Sequence, residues 1–178
     1  MSTITNAPSV WVGCLAAYNA GRLHGEWIAV PTDPDELRSA IARVLAASPS
    51  PGAEEHFFAD SEGWGDLDIG EYEDVGRLCR IVADMDGMPR DSSEAYLTFL
   101  AHEDGSGSVE AFEEAYAGTW AREEDYASEF IDSMGGWAGV EVESEAWQWM
   151  DEDRIYAAIL DDCRTYDSHD GRVHVFRD

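Results

Sequence analysis

Residues 10–30, VWVGCLAAYNAGRLHGEWIAV, place two runs rich in β-forming residues, 10–15 and 23–30, on either side of Asn19-Ala20-Gly21. Asparagine and glycine favour turns, so this stretch predicts a β-hairpin. The capping pattern of residues 32–35 and apolar residues at helical spacing then predict a helix to about residue 47. A short strand at 56–59 is expected to return to the hairpin sheet. Residues 1–60 are therefore predicted to form a β-β-α-β module.

The rest of the chain is predicted to be mainly helical, with acidic outer faces. Apolar residues from 67 to 85 repeat at mostly helical spacing, and Ser92 or Ser93 is expected to cap a second helix. A short helix capped by Ser108 is expected to end near residue 118, with Thr119 capping the next. A later helix is expected to include Cys163, and a final strand covers 173–176. The fold class is therefore α+β.

Breaks in composition divide the chain into three predicted domains: an N-terminal module over 1–60, an acidic helical middle over 61–105 and an acidic α/β module over 106–178. The charge follows a similar division. Residues 1–52 hold four acids and three arginines, whereas 53–105 hold 15 acids and three arginines, and 106–178 hold 19 and five. The first module is thus nearly neutral, and the negative charge begins after Pro51-Gly52.

The total charge restricts the partners of this protein. Against 38 acidic residues stand 11 basic ones, all of them arginines, so the net charge is -27 and the chain contains no lysine. Such a field is expected to repel nucleic acid and anionic membranes and to attract basic proteins. An ordinary soluble domain carries a far smaller imbalance.

Several enzyme classes are excluded by missing residues. Without lysine there is no P-loop, Schiff-base or kinase-type phosphate lysine. The segment His102-Glu103-Asp104-Gly105-Ser106 fails the H-E-x-x-H zinc pattern at its fifth position. The loop from Asp66 fails the EF-hand template at positions 5, 6 and 12. We therefore expect no catalytic residues, no metal and no cofactor.

The localisation expected from the sequence is cytoplasmic. Three cysteines, an odd number, have mostly apolar neighbours and no C-x-x-C spacing, which is typical of reduced thiols. The first nine residues lack the features of a secretory signal, and no apolar run is long enough to span a membrane.

The carboxylates themselves form the candidate partner-binding site. Side chains three or four residues apart on a helix lie about 5 to 6 Å from one another, so acids at this spacing form rows like those of backbone phosphates. A charge of -27 matches about 46 Å of duplex DNA, or about 14 base pairs. The acids expected to imitate phosphates are Glu110, Glu113, Glu114, Glu123, Glu124, Asp125, Glu129 and Asp132.

Three other functions remain open at this point. The acidic surface could serve only solubility or adaptation to high salt, although salt adaptation should acidify residues 1–52 as well. It could also belong to a binding or chaperone-like module for basic proteins without the shape of DNA. The third is a glycoside-type hydrolase with a carboxylate pair, but among 38 acids such pairs arise by chance.

Three segments resemble the ArdA antirestriction family. Residues 10–13, 18–21 and 23–27 look like the opening hairpin of that family. The acidic stretch EEAYAG at 113–118, followed by EEDYA at 123–127, resembles its antirestriction segment, and Val175-Phe176-Arg177 is similar to its end. The leader, the proline-rich stretch 48–52 and the glycine-rich stretch 135–139 depart from the pattern.

The resemblance implies an elongated, curved protein of three small domains, encoded on mobile elements, that mimics bent B-form DNA. Its implied targets are Type I restriction-modification enzymes, whose DNA-binding core of specificity and methyltransferase subunits it would block. It also implies a homodimer joined through the C-terminal part. The candidate dimer contacts are Trp147, Trp149, Ile155 and Tyr156.

Overall fold

The computed structural model describes residues 7–102, 107–135 and 151–178, with the backbone alone at Glu152. Within those residues seven helices and six strands form a mixed fold with two antiparallel sheets, which confirms the α+β class. The chain divides into two compact units: unit 1 is Met1–Pro89 with Leu100–Gly105, and unit 2 is Arg90–Phe99 with Ser106–Asp178. The three-domain division and the elongated shape stay predictions.

Unit 1 contains the β-β-α-β module. Its elements are β1 Ser9–Cys14, α1 Leu15–Asn19, β2 Gly25–Ala29, α2 Pro34–Ala46, β3 His56–Glu62 and α3 Val75–Met85. The strands pair in the antiparallel order β2-β1-β3, so β3 joins the sheet of the hairpin as predicted. The connection between β1 and β2 is longer than the predicted turn, because α1 occupies its first half. After α1, Gly21 turns the chain with a positive φ of 72°, which glycine adopts without strain.

Helix α2 covers one face of this sheet. Asp33 caps it, since the Asp33 carboxylate accepts a hydrogen bond of 2.8 Å from the Asp35 N–H, and Pro34 occupies the first turn. Four residues at helical spacing are buried: Leu37, Ala40, Ile41 and Val44. They pack against β1, where Val10 and Val12 have no exposed surface. Burial of this apolar stripe fixes the helix on the sheet.

The middle of the chain is less helical than its spacing predicted. Residues 63–74 form no helix, and α3 begins only at Val75, after Asp74 has accepted a hydrogen bond from the Arg77 N–H. Within this loop Leu67 and Ile69 are buried while Asp66 and Asp68 are exposed. This alternation has a period of two, which is typical of an extended segment, so the helical spacing predicted from residue 67 was wrong for this part of the chain.

Unit 2 consists of two segments of the chain, Arg90–Phe99 and Ser106–Asp178. Its elements are the first ten residues of α4 Arg90–His102, α5 Val109–Ala115, β4 Tyr116–Trp120, α6 Glu123–Ser133, α7 Glu152–Leu160, β5 Cys163–Asp167 and β6 Val173–Arg177. The strands pair in the antiparallel order β4-β6-β5. The final strand is confirmed, one residue longer than predicted.

Three predictions for unit 2 were wrong. Ser92 and Ser93 lie inside α4 and do not cap it. Thr119 lies in β4 and caps no helix, because residues 116–120 pair with β6 instead of continuing α5. Cys163 begins β5, so the last helix ends at Leu160. In the two latter cases pairing with β6 overrides local helical spacing.

Glycine at position 13 is needed for the sheet of unit 1. A Cβ there would lie 2.6 Å from Phe57 Cε1 and 2.8 Å from Trp11 Cζ3, closer than atoms can approach. We expect Gly13→Ala to lower the free energy of unfolding by about 1 to 3 kcal/mol, since the rings must shift. Urea denaturation measures this change.

The matched control is Gly70→Ala, because no atom lies within 4 Å of a Cβ built at Gly70. Its free energy of unfolding should change by less than about 0.5 kcal/mol, as at most surface positions. Equal effects of the two alanines would contradict the packing around Gly13.

Candidate acidic partner-binding surface

Helix α5 turns its three glutamates to solvent because Phe112 anchors its other side. Ser108 caps the helix by accepting a hydrogen bond of 3.2 Å from the Ala111 N–H. The buried Phe112 ring stacks on Tyr116 at 4.9 Å between centroids and meets Tyr96 edge-on at 5.3 Å. The exposed acids on the opposite side are Glu110, Glu113 and Glu114.

Helix α6 presents a second acidic side in the same way. Tyr126, Ala127 and Ile131 are buried and hold the helix against unit 2. The exposed acids of this helix are Glu124, Glu129 and Asp132. Six of the eight candidate acids are therefore exposed, in two helices of one unit. Five of them have an exposed neighbour three or four residues away, at about 5 to 6 Å, whereas Glu124 has none at that spacing.

The other two candidates, Glu123 and Asp125, are half-buried and engaged within unit 2. The Glu123 carboxylate accepts a hydrogen bond of 2.5 Å from the Thr165 hydroxyl, and Asp125 forms an ion pair of 2.9 Å with Arg122. Both lie in the first turn of α6, where negative side chains stabilise a helix. Their contacts give them a structural role, so the exposed acids of α6 that lie three residues apart are Glu129 and Asp132.

Unit 1 carries exposed acids that the sequence reasoning did not single out. Between residue 53 and the start of α3 they are Glu54, Glu55, Asp60, Glu62, Asp66, Asp68, Glu71 and Asp74. The period of two around Leu67 and Ile69 was the available signal, because alternate residues of an extended segment point to opposite sides.

Three acids of unit 2 have partners within the unit: Asp91 and Asp170 pair with Arg172, and Glu94 accepts hydrogen bonds. Arg172 donates a bidentate pair of hydrogen bonds to the Asp91 carboxylate, at 2.7 and 2.8 Å, and forms a further ion pair of 2.8 Å with Asp170. The hydrogen bond from Arg172 lowers the pKa of the Asp91 carboxyl. Glu94 accepts hydrogen bonds from the Ser168 hydroxyl at 2.8 Å and the His169 N–H at 2.9 Å. These acids join the start of α4 to the β5–β6 turn.

A fully buried histidine lies beside this network. His174 Nδ1 is 2.7 Å from the Thr119 hydroxyl, and its Nε2 is 3.8 Å from the Glu94 carboxylate. Burial lowers the pKa of His174. Burial also raises the pKa of Glu94, but the hydrogen bonds from His169 and Ser168 outweigh it and leave that pKa below its ordinary value. The arrangement keeps a neutral ring beside a charged carboxylate.

The candidate dimer contacts that the structure describes lie on α7. Ile155 and Tyr156 are half-buried, whereas Trp147 and Trp149 lie outside the described residues. Ile155 lines a groove of about 630 Å³ in unit 2. The other apolar or sulfur-bearing residues of its lining are Tyr126, Phe130, Ala158, Ile159 and Cys163.

The acids of the described ranges do not assemble into a metal site. In residues 7–102, 107–135 and 151–178, no group of three or more His, Cys, Asp or Glu side chains is arranged to hold a metal ion. None of the helices in these ranges is both long and apolar enough to cross a membrane.

The chain is similar to a known protein family. A family model described as antirestriction protein (ArdA) matches residues 10–166, which is more than half of the chain and includes most of both units. No curated protein matches the chain. The family indicated by the motifs at 10–27 and 113–127 is therefore confirmed.

The bidentate Arg172–Asp91 ion pair yields a testable prediction. A lysine has one charged nitrogen and lacks the fork of arginine, so we expect Arg172→Lys to lower the free energy of unfolding by about 1 kcal/mol at pH 7. The lowered pKa of Asp91 contributes its full stability above the ordinary pKa of aspartate, about 4, and this stability is lost as the pH falls through the lowered value. The difference between parent and variant should therefore shrink below about pH 4. Urea titrations across pH measure both effects.

Arg38→Lys is the matched control. The Arg38–Asp35 ion pair has a single short contact of 2.8 Å, and its side chains are 58% and 87% exposed. Surface pairs of this kind contribute little, so its free energy of unfolding should change by less than about 0.5 kcal/mol. Equal losses in the two variants would contradict the role of the Arg172 fork.

Proposed function

The chain belongs to the ArdA family of antirestriction proteins, and from that premise we propose that it inhibits Type I restriction-modification enzymes as a DNA mimic. The observation that carries this proposal is the set of exposed carboxylates on α5 and α6: Glu110, Glu113, Glu114, Glu124, Glu129 and Asp132. Each is held on a helix whose other side is anchored in an apolar core, so the rows keep their spacing.

The proposed partner is the DNA-binding cleft formed by the specificity and methyltransferase subunits. Such a cleft presents arginine and lysine side chains at positions set by DNA phosphates. Carboxylates at similar spacing occupy the same positions and release the bound counterions. Inhibition is then competitive with DNA, sensitive to salt and independent of the DNA sequence. No bond is made or broken, so the protein acts without catalysis.

The alternative is an acidic binding or chaperone-like module for basic proteins. It shares the charge of -27 but requires no fixed rows. The anchoring of α5 by Phe112 and of α6 by Tyr126 favours the mimic, because a module that works through charge alone gains nothing from rigid spacing.

We place this activity in the cytoplasm, where restriction enzymes meet DNA. The three cysteines support that location. Cys14 and Cys79 are buried, Cys163 is half-buried, and all three are free thiols. A reducing compartment maintains that state.

Neutralising one acidic side of α6 tests the mimic. The triple variant Glu124→Gln, Glu129→Gln and Asp132→Asn should weaken displacement of fluorescent DNA from a Type I methyltransferase by about tenfold, because each exposed charge contributes a few tenths of a kcal/mol to about 1 kcal/mol. Its dependence on salt should also become shallower. Competition titrations at several salt concentrations give both values.

A control of equal charge comes from the nearly neutral residues 1–52. Glu26→Gln, Asp35→Asn and Glu36→Gln change three exposed acids there. If the phosphate rows lie in residues 53–178, this control should inhibit almost like the parent. A parent protein that fails to displace DNA even at low salt would falsify the proposed function, and equal weakening by both triples would favour the alternative module.

We also propose that two copies associate through the groove of unit 2. Apolar and aromatic side chains on α6 and α7 line it, and repulsion between two chains of charge -27 can be overcome only by apolar burial. The resemblance to a family that dimerises through its C-terminal part agrees with this location.

Two neighbouring alanines of α7 test the dimer. Ala158 lines the groove, whereas Ala157 is exposed on the same helix and does not belong to that lining. A charge buried at an apolar contact is costly, so we expect Ala158→Glu to weaken the dimer at least about tenfold. Ala157→Glu should leave it unchanged. Sedimentation velocity over a range of concentrations measures the difference, and a parent monomer at every concentration contradicts the dimer.

A further inference from the structure

The sheet of unit 1 has a second face, opposite the one that α2 covers. Strand register places the side chains of Trp11, Trp27 and Asp60 next to one another on it, because Trp11 on β1 pairs with Trp27 on β2 and with Asp60 on β3. Ser9 pairs with Glu62 on the same face. Directly opposed residues of an antiparallel sheet have Cβ atoms about 4.5 to 5.5 Å apart.

Two glycines make room for the aromatic rings on this face. A Cβ at Gly25 would overlap the end of the Trp11 indole, and a Cβ at Gly13 would overlap both Trp11 and Phe57. The indole of Trp11 therefore spreads over the backbone of both strands. Phe57 lies beside it as a buried support, and the Tyr18 ring packs against Phe57 at 5.3 Å between centroids. We call Trp11, Trp27, Phe57 and Tyr18 the aromatic platform.

The aromatic platform is open to solvent at its margins and bordered by acids. Tyr18 is 61% exposed and Trp27 is 41% exposed. Asp60 and Glu62 are exposed on the neighbouring strand. Exposed aromatic surface with a polar rim is typical of an interaction site and not of a solvated sheet face.

We propose that the aromatic platform is a contact surface for arginine side chains of a basic partner protein. A guanidinium group stacks flat on an aromatic ring and pairs with carboxylates through its fork, and this face offers both kinds of group side by side. Lysine lacks the planar group and fits less well. The rings of Trp27 and Tyr18 take the stacking, while Asp60 and Glu62 take the charge.

The charge of the whole protein decides the class of partner. Aromatic rings on a sheet also stack on the bases of single-stranded nucleic acid, but those sites lie in positively charged grooves. A chain of charge -27 repels phosphates. The same charge draws a basic protein towards the chain, and the aromatic platform then distinguishes arginine from lysine at close range. In the proposed function it is a second point of contact outside the phosphate rows.

The identity of the partner rests on the proposed function, so the first experiment uses a Type I methyltransferase. Tyr18→Ser with Trp27→Thr should weaken binding by about tenfold without changing its dependence on salt, because two neutral stacking contacts are lost. The control is Tyr72→Ser, which removes another exposed aromatic ring of unit 1, 71% exposed, and should bind as the parent does. Asp60→Asn with Glu62→Gln, which leaves every ring in place, should weaken binding and make the salt dependence shallower.

A second experiment does not depend on the enzyme. Oligo-arginine and oligo-lysine peptides of equal length are titrated into the full chain, and the indole N–H signals are followed by NMR, with Trp27 assigned from Trp27→Thr. At equal saturation, the arginine peptide should shift the Trp27 signal about threefold more than the lysine peptide does. Equal shifts, or a Trp27 signal moved by single-stranded DNA instead, would overturn the aromatic platform as an arginine site.

The two experiments separate the two ideas. If the parent leaves the methyltransferase unaffected while the arginine peptide moves the Trp27 signal, the proposed function fails and the aromatic platform stands. If the parent inhibits the enzyme while the Tyr18 and Trp27 variant binds equally well, the aromatic platform fails and the proposed function stands.

Discussion

Repulsion among the carboxylates is the constraint that the rest of the structure must satisfy. With 38 acids and 11 arginines in 178 residues, repulsion between like charges opposes compaction, and on helices such as α5 and α6 it acts between neighbouring turns. Apolar burial has to outweigh this repulsion in each unit separately. In unit 2 the Phe112 ring lies 5.3 to 6.2 Å between centroids from the rings of Tyr96, Phe99 and Phe176, which concentrates burial in few residues. The acids are then left on the outer sides of short helices.

The few cations are used inside the fold as well as on its surface. Arg172 joins two acids from different elements, and Arg164 forms an ion pair with Asp178 beside the sheet. These pairs connect segments that are far apart in sequence, so they contribute to the fold of unit 2. They also remove positive charge from the surface that a partner meets. The exposed carboxylates are therefore diluted by fewer arginines than the composition suggests.

The sequence predicted elements that depend on local signals. Asp33-Pro34 specifies the start of α2, and the β-forming runs at 10–15 and 23–30 specify two paired strands. Sequence reasoning missed β4 and placed Cys163 in a helix, because both segments acquire their strand conformation by pairing with β6, which lies more than 50 residues from β4 and forms a hairpin with β5. For the site, helical spacing placed six acids correctly on exposed sides. It could not reveal that Glu123 is held by Thr165, 42 residues away. The paired indoles of Trp11 and Trp27 likewise required the strand register.

Helix α4 is shared between the units, since Arg90–Phe99 belong to unit 2 and Leu100 begins the second segment of unit 1. Leu100 is almost fully buried and, with Ala101, lines a cavity in unit 1 alongside Leu67 and Arg77. Unit 1 is consequently discontinuous in the chain, and a fragment that ends at Pro89 lacks part of its own interior. During synthesis on a ribosome, the N-terminal sheet can form early, but unit 1 reaches its complete set of contacts only after the chain has been extended through α4.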